Sequence, residues 1–158
     1  MAKRHNSLVV LSRDHHHGLA IAIRLRQGDK ALLNDGWTHD RNEQSRRVQE
    51  FYASDLVPHF RAEEDALFPL MIKHLPQSTP LIDSLVKDHR LLEALVAQLR
   101  DSPAPGDLLE EIGRVLELHI RREERELFPM FEHGISGDIA RGAGDEILRT
   151  HRASTRTS

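Results

Sequence analysis

The chain has 158 residues, 39% of them hydrophobic and 30% charged, with a formal net charge of -3. That balance suits a folded domain with its own apolar core and excludes both a disordered chain and a strongly basic nucleic-acid footprint. There is no cysteine, which rules out disulfides, thiolate zinc sites and iron–sulfur ligation by this chain, while histidine is abundant at 11 residues.

No apolar run is long enough to span a bilayer. The N-terminal stretch MAKRHNSLVVLSRDHHH holds only the short apolar LVVL. That is too short for the core of a secretory leader, so a cytoplasmic protein is expected. Helical periodicity then dominates. Leu8, Leu11, His15, Gly18, Ala22 and Leu25 recur at spacings of three and four, one face of a first helix that Gly28-Asp29 ends. The polar stretch LLNDGWTHDRNE follows, with Asp35-Gly36 as a turn signal. A second helix begins near Asn42 and carries Val48, Phe51, Tyr52, Leu56, His59, Glu63, Leu67 and Leu70. Pro58 and Pro69 lie inside it, and each removes a backbone donor, which predicts a bend.

The segment QSTP reads as a helix start, with Ser78 or Thr79 as N-cap and Pro80 in the first turn. This third helix runs through Ile82, Leu85, His89, Leu92, Val96 and Leu99 until SPAPGD breaks it. Asp107 is a candidate cap for a fourth helix carrying Ile112, Val115, Leu116, His119, Glu123, Leu127 and Met130, and His133-Gly134 resembles its stop. A short, Gly-rich fifth helix is expected over Gly137 to Thr150, with a frayed tail over residues 151–158. Nothing alternates with the strand period of two. The expectation is an all-α, up-down four-helix bundle in a single domain of residues 1–158, with its core over about residues 8–133.

The chain repeats itself. HFRAEEDALFPLM, from His59, matches HIRREERELFPMF, from His119. RDHHHGLAIAIRLR, from Arg13, can be laid over KDHRLLEALVAQLR, from Lys87. A two-helix unit cannot bury its apolar faces alone, so the duplication predicts two units packed with approximate two-fold symmetry. His15 and His89 each sit mid-stripe, with apolar or small neighbours at matched offsets. His59 and Glu63 share a helix face, as do His119 and Glu123, because residues four apart are neighbours. Four imidazoles and two carboxylates are thus aimed at one interior. Buried unpaired they would be costly, and a pair of metal ions compensates them naturally. The nitrogen and oxygen donors, with no sulfur, suit iron, manganese or zinc.

Other residues have plainer readings. A single His–Glu pair at this spacing is usually a surface pair, and the duplication is what lifts these two above that. The Leu-Phe-Pro elements read as core and kink. Glu64 and Glu124 turn about 100° away from their neighbours and read as rim groups or as groups that orient an imidazole. His5, His39 and His151 fall in polar or terminal stretches and are expected to be solvated; His74 and His133 suit helix ends. Of His15, His16 and His17, His15 shares the apolar stripe, and His16 reaches the interior only if the helix rolls.

The Asp-His start of the first and third helices, the His-x-x-x-Glu-Glu…Leu-Phe-Pro of the second and fourth, and their repetition resemble the hemerythrin-like, or HHE cation-binding, domain over roughly residues 8–133. The resemblance implies a four-helix bundle holding two iron ions. Carried over by position, the ligands are His15, His59, Glu63, His89, His119 and Glu123, with both glutamates bridging. The oxygen-carrying members place a second His four residues after the third-helix His, where this chain has Glu93. Glu93 either joins His89 and His119 on one iron or faces the rim and pairs with Arg90 or Arg100. The carriers also place Asp five residues after the fourth-helix His, where this chain has Glu at four. The similarity is therefore to a divergent branch. The resemblance implies a di-iron protein that binds or responds to oxygen or nitric oxide. A redox enzyme acting as an oxidase, on peroxide or on nitric oxide, and a structural iron or zinc module, are the alternatives. No nucleic-acid or membrane partner is expected, and no protein partner is indicated.

Overall fold

The structure, a computed structural model, describes residues 3–156. Among these residues every regular element is helical. A 3₁₀ turn, Asn6–Leu8, leads into α1, Val9–Gln27, which ends where Gly28 takes a positive φ of 58°. Helix α2 covers residues 41–74, α3 is Thr79–Leu99, α4 covers residues 106–134, and α5 is Gly137–Thr155. Adjacent helices run antiparallel. Ala22 of α1 meets Gly113 of α4, whereas His15 meets Glu124. Asp88 of α3 meets His119 of α4, whereas Ser84 meets Arg122. The first four helices therefore form the expected up-down bundle.

The prolines of α2, expected to bend it, are accompanied by widened turns, and α4 shows the same feature. Helix α2 contains π-helical turns at Tyr52–Leu56 and Glu63–Leu67, and α4 contains one at Glu123–Leu127. Each ends two residues before a proline, at Pro58, Pro69 and Pro129. A proline has no N–H for the carbonyl four residues back and its ring clashes there. Widening the preceding turn answers both problems, and the Phe68 and Phe128 N–H groups bond to the Glu63 and Glu123 carbonyls, five residues back. One extra residue per turn also slips the phase of everything downstream. Leu70 and Met130, expected on the buried stripe, are only half-buried, while Met71 and Phe131 are fully buried in their place. Tyr52, at the first π turn, is likewise half-buried.

One helix start departs from expectation. Asp107 does not cap α4; Pro105 is the N-cap residue and Asp107 sits in the first turn. Ser78 is the N-cap of α3 with Pro80 in its first turn, as expected, although its hydroxyl donates to the Leu75 carbonyl and caps no N–H of the helix. The fifth helix is longer than its glycines suggested and continues to Thr155, so the expected fraying is absent over 151–155, and residues 157 and 158 lie outside the described residues. It lies along α2 and against the 3₁₀ turn before α1, with Ala140, Ala143 and Ile147 buried and the Ser7 hydroxyl donating to the Ala140 carbonyl at 2.5 Å. No helix among the described residues is long and apolar enough to cross a membrane.

Two apolar clusters fill the bundle. One holds Leu8, Leu11, Leu67, Met71, Leu85, Phe128 and Phe131, and reaches α5 through Ile147. The other holds Leu25, Val48, Phe51, Leu92, Leu99, Ile112 and Leu116. Between them lies a polar layer of buried His and Glu.

The approach of α1 to α4 depends on Gly113. A Cβ there would lie 2.7 Å from the Ala22 carbonyl oxygen and 2.9 Å from Leu25 Cβ, with no flexible atom able to yield. Gly113→Ala should therefore destabilise the protein by about 1–3 kcal/mol despite the better helix propensity of alanine. Gly142→Ala, where a Cβ meets nothing within 4 Å, should be neutral or stabilising. Thermal melting of the two variants side by side checks both signs.

Candidate metal centre

The polar layer is built by one residue from each of two helices and a pair from each of the others. His15 comes from α1 and His89 from α3; His59 and Glu63 come from α2, His119 and Glu123 from α4. All six are at most 4% exposed. Each imidazole turns its Nε2 inward. Glu63 Oε1 lies 2.7 Å from His59 Nε2, and its Oε2 lies 3.1 Å from His89 Nε2. Glu123 repeats this, with Oε2 at 2.8 Å from His15 and Oε1 at 3.1 Å from His119. Two four-residue groups result: His15, His59, Glu63 and Glu123, and then Glu63, His89, His119 and Glu123. Within each, the donor atoms lie within 4.8 Å of one another. Both glutamates belong to both groups, the geometry of carboxylates that span two cations.

The outward Nδ1 of every imidazole is held by a carboxylate. His15 Nδ1 donates to Glu124 at 2.8 Å, His59 to Asp14 at 2.9 Å, His89 to Glu64 at 2.7 Å and His119 to Asp88 at 3.2 Å. The pattern follows the repeat. Asp14 and Asp88 precede His15 and His89 in sequence, and turn away to reach His59 and His119 within their own half. Glu64 and Glu124 reach the histidine of the opposite half. A hydrogen bond at Nδ1 fixes the tautomer that leaves Nε2 free as a donor atom to metal. The phenylalanines of the Leu-Phe-Pro elements add orientation. Phe128 stacks on His15 with ring centroids 5.2 Å apart, and Phe68 lies 5.9 Å from His89.

Both carboxylate oxygens of Glu63 and of Glu123, together with Nε2 of His89 and His119, are buried without a hydrogen-bond partner. While the imidazoles are neutral, with their proton on Nδ1, the inner contacts are therefore lone pairs facing lone pairs and not donor–acceptor pairs. Such orphaned atoms are expensive, and a nitrogen–oxygen set of this kind fits iron, manganese or zinc. Without a cation, protons supply the positive charge. Burial alone would lower the pKa of His59, but the Glu63 carboxylate beside it and the Asp14 hydrogen bond raise it to about 9. His119, against the same opposing burial, is raised to about 10 by Glu123 and Asp88. Burial would raise Glu63, yet the surrounding imidazoles hold it well below the usual carboxylate range.

Six of the seven residues expected at the centre are brought together. Glu93 is not among them. Its side chain is 57% exposed and accepts a hydrogen bond from Arg90 at 3.4 Å, the surface arrangement that the sequence left as the other choice. One helical turn beyond His89, the α3 stripe that enters the core passes through Leu92 instead. His16 and His17 are exposed, as are His74 and His133. His39 is tied by its Nε2 to the Ala31 carbonyl oxygen, and His5 accepts from the Ser7 N–H. His151, expected in solvent, instead contacts Asp14 at 2.9 Å. The sequence reading attached no role to Asp14 or Asp88, although the repeated Asp-His dipeptide was the available signal.

A metal must displace the protons that hold these imidazoles. Titration with a divalent metal at pH 7 should release protons from the chain, with His15, His59 and His119, all raised by the carboxylates around them, as the main sources. Because the folded-state values are raised, apparent affinity should fall as pH falls and climb until pH passes about 10. Calorimetry in buffers of different ionisation enthalpy measures this, and binding without proton release would contradict it. Glu93→Ala should leave metal content unchanged and stability within about 0.5 kcal/mol, by elemental analysis and melting.

The sequence pattern of the Hemerythrin HHE cation binding domain matches residues 7–131. A DNA nickase from Nostoc sp. (strain PCC 7120 / SAG 25.82 / UTEX 2576) is 27% identical over 97 residues, which cover 58% of this chain and 28% of that protein. The chain thus spans less than a third of that relative's length. No solved structure matches. With the match running through all four bundle helices and every residue of the buried cluster, the chain belongs to the hemerythrin HHE cation-binding family.

Proposed function

We propose that the chain holds two iron ions and binds a diatomic molecule, oxygen or nitric oxide, at one of them. His15 and His59 serve one ion, His89 and His119 the other, and Glu63 and Glu123 bridge. Zinc or manganese can occupy the same donors. The observation that carries the diatomic reading is a cavity of about 10 Å³ beside the layer, lined by Asp14, His15, Leu56, His59, Phe60, Leu116, His119 and Ile120. At that volume it admits about one water-sized molecule, which leaves room for a diatomic ligand and none for an organic substrate.

The cavity owes its place to a break in the internal symmetry. Phe60 lies flat against His89, with centroids 3.8 Å apart. The equivalent of Phe60 in the second unit is Ile120, which leaves more room beside His15. Ile120 in turn rests against Gly18, whose counterpart in the third helix is the bulkier, fully buried Leu92. The face of His89 is covered, and the opening lies among His15, His59 and His119.

A bound iron pair supplies electrons for holding or reducing such a molecule. The chain orients four imidazoles, excludes water with two apolar clusters and leaves one small opening. Elemental analysis should find about two metals per chain, and chelation should lower the melting temperature because it removes the cations that the buried carboxylates face. In stopped-flow experiments, the reduced iron protein mixed with oxygen or nitric oxide should give a reversible spectral adduct. Ile120→Phe, which copies the filled half, should keep both metals and slow adduct formation. Rapid oxidation with repeated turnover and no adduct would replace this reading by a redox enzyme.

A further inference from the structure

The three arginine-backed carboxylates of the outer layer set off a fourth that is backed differently. Glu124 accepts from Arg4 at 2.6 Å. Glu64 pairs with Arg90, and Asp88 has Arg122 at 3.6 Å. Asp14 has His151 instead: its Oδ2 lies 2.9 Å from His151 Nε2 and 2.9 Å from His59 Nδ1. The oxygen that orients His59 is therefore shared between two imidazoles.

His151 sits on the packed side of α5. The stripe runs Ala140, Ala143, Gly144, Ile147 and then His151, at helical spacing. A Cβ at Gly144 would lie 2.8 Å from the Ser7 hydroxyl, so α5 is seated tightly against the start of α1. The His151 side chain is only 18% exposed. This helix lies beyond residues 7–131, the span that the family pattern covers.

We propose that His151 is a positioning residue for the metal held by His15 and His59, acting through Asp14 to set the orientation and donor strength of His59. The inference rests on the ligand assignment proposed above. The counterpart Asp88 has only Arg122 nearby, at 3.6 Å and donating to Ser84 instead, whereas His151 gives Asp14 a directional hydrogen bond, the kind of outer contact that orients a ligating imidazole. Asp14 is accordingly fixed in place by a second hydrogen bond that its counterpart Asp88 lacks, and it orients the His59 ring at 2.9 Å where Asp88 meets His119 at 3.2 Å. The two metals, symmetric in their inner donors, become inequivalent, and the difference falls on the side that carries the cavity. The fifth helix thereby forms part of the metal centre rather than a neutral appendage.

The test uses cobalt(II) as the sole added metal, with wild type, His151→Ala and His151→Gln compared. Two readings are taken: stepwise cobalt affinity, and solvent exchange of the paramagnetically shifted His59 ring N–H. Loss of a ligand's direct partner costs about 10–100-fold in affinity. One residue further out, His151→Ala should weaken one of the two sites by about 3- to 10-fold and speed exchange of that single N–H, leaving the His119 N–H unchanged. His151→Gln, which keeps a donor in reach of Asp14, should restore both readings. An Ala variant with wild-type affinity and exchange, or one that only melts lower and is not rescued by Gln, overturns the proposal. Wild-type protein that binds no cobalt would instead sink the ligand assignment, and this inference with it.

Discussion

Two fully buried carboxylates govern this fold. Glu63 and Glu123 are 0% exposed, and neither has a hydrogen-bond partner for either oxygen. An ion taken from water without compensation costs several kcal/mol, and whole domains are stable by only about 5–15 kcal/mol. The rest of the layer answers that cost in alternating charge. Four imidazoles face the two glutamates; Glu124, Asp14, Glu64 and Asp88 face the imidazoles; Arg4, His151, Arg90 and Arg122 face those in turn. Each shell reduces the field of the one inside it, and the outermost reaches solvent. The apolar core is split into two clusters because this layer must run across the bundle from wall to wall.

The duplicated sequence places the shells economically. Within each half, the Asp before the first histidine orients the second histidine, and the Glu after the inner carboxylate crosses to the other half. Neither half can then orient all of its imidazoles alone. The pairing of the halves is specified by hydrogen bonds as well as by apolar area, which is more selective about register than burial of Leu and Ile would be.

Much of this was legible. The histidine and glutamate positions follow from spacing alone, because residues four apart on a helix meet and apolar stripes show which way they point. The π turns were not legible as such. Proline announces a disturbed helix, but whether the chain bends, breaks or widens depends on what the neighbours can accommodate. Here Glu63 and Glu123 open their π turns, so the same irregularity that accommodates the proline also sets the phase at which the inner carboxylate, its outer neighbour and the stacking phenylalanine emerge. A periodicity reading that ignores the slip names Leu70 and Met130 where Met71 and Phe131 belong. Glu93 failed for a related reason: its spacing from His89 allowed an inward direction, but α3 is a regular helix whose buried stripe passes through Leu92 and Val96, which turns Glu93 outward. His151 was missed because, although it continues the stripe of Ala140, Ala143 and Ile147, nothing in the sequence says what that stripe packs against; the seating of α5 on Ser7 brings it to Asp14.

Symmetry in the inner donors and asymmetry around them have separate consequences. Duplicated donors make it possible for two cations to share two carboxylates, since each oxygen faces a different half. They do nothing to make one cation more accessible than the other. On the reading proposed above, that distinction would come from residues with no donor atom at all: Phe60 against Ile120, and Leu92 against Gly18. A few carbon atoms more on one side fill the space over His89, and a few fewer on the other leave the opening beside His15. On the reading proposed here, where the small ligand sits is decided by packing, while how tightly the metals are held is decided by the charged shells. The two properties can therefore change independently, and substitutions at Ile120 or Gly18 alter access without touching a single donor.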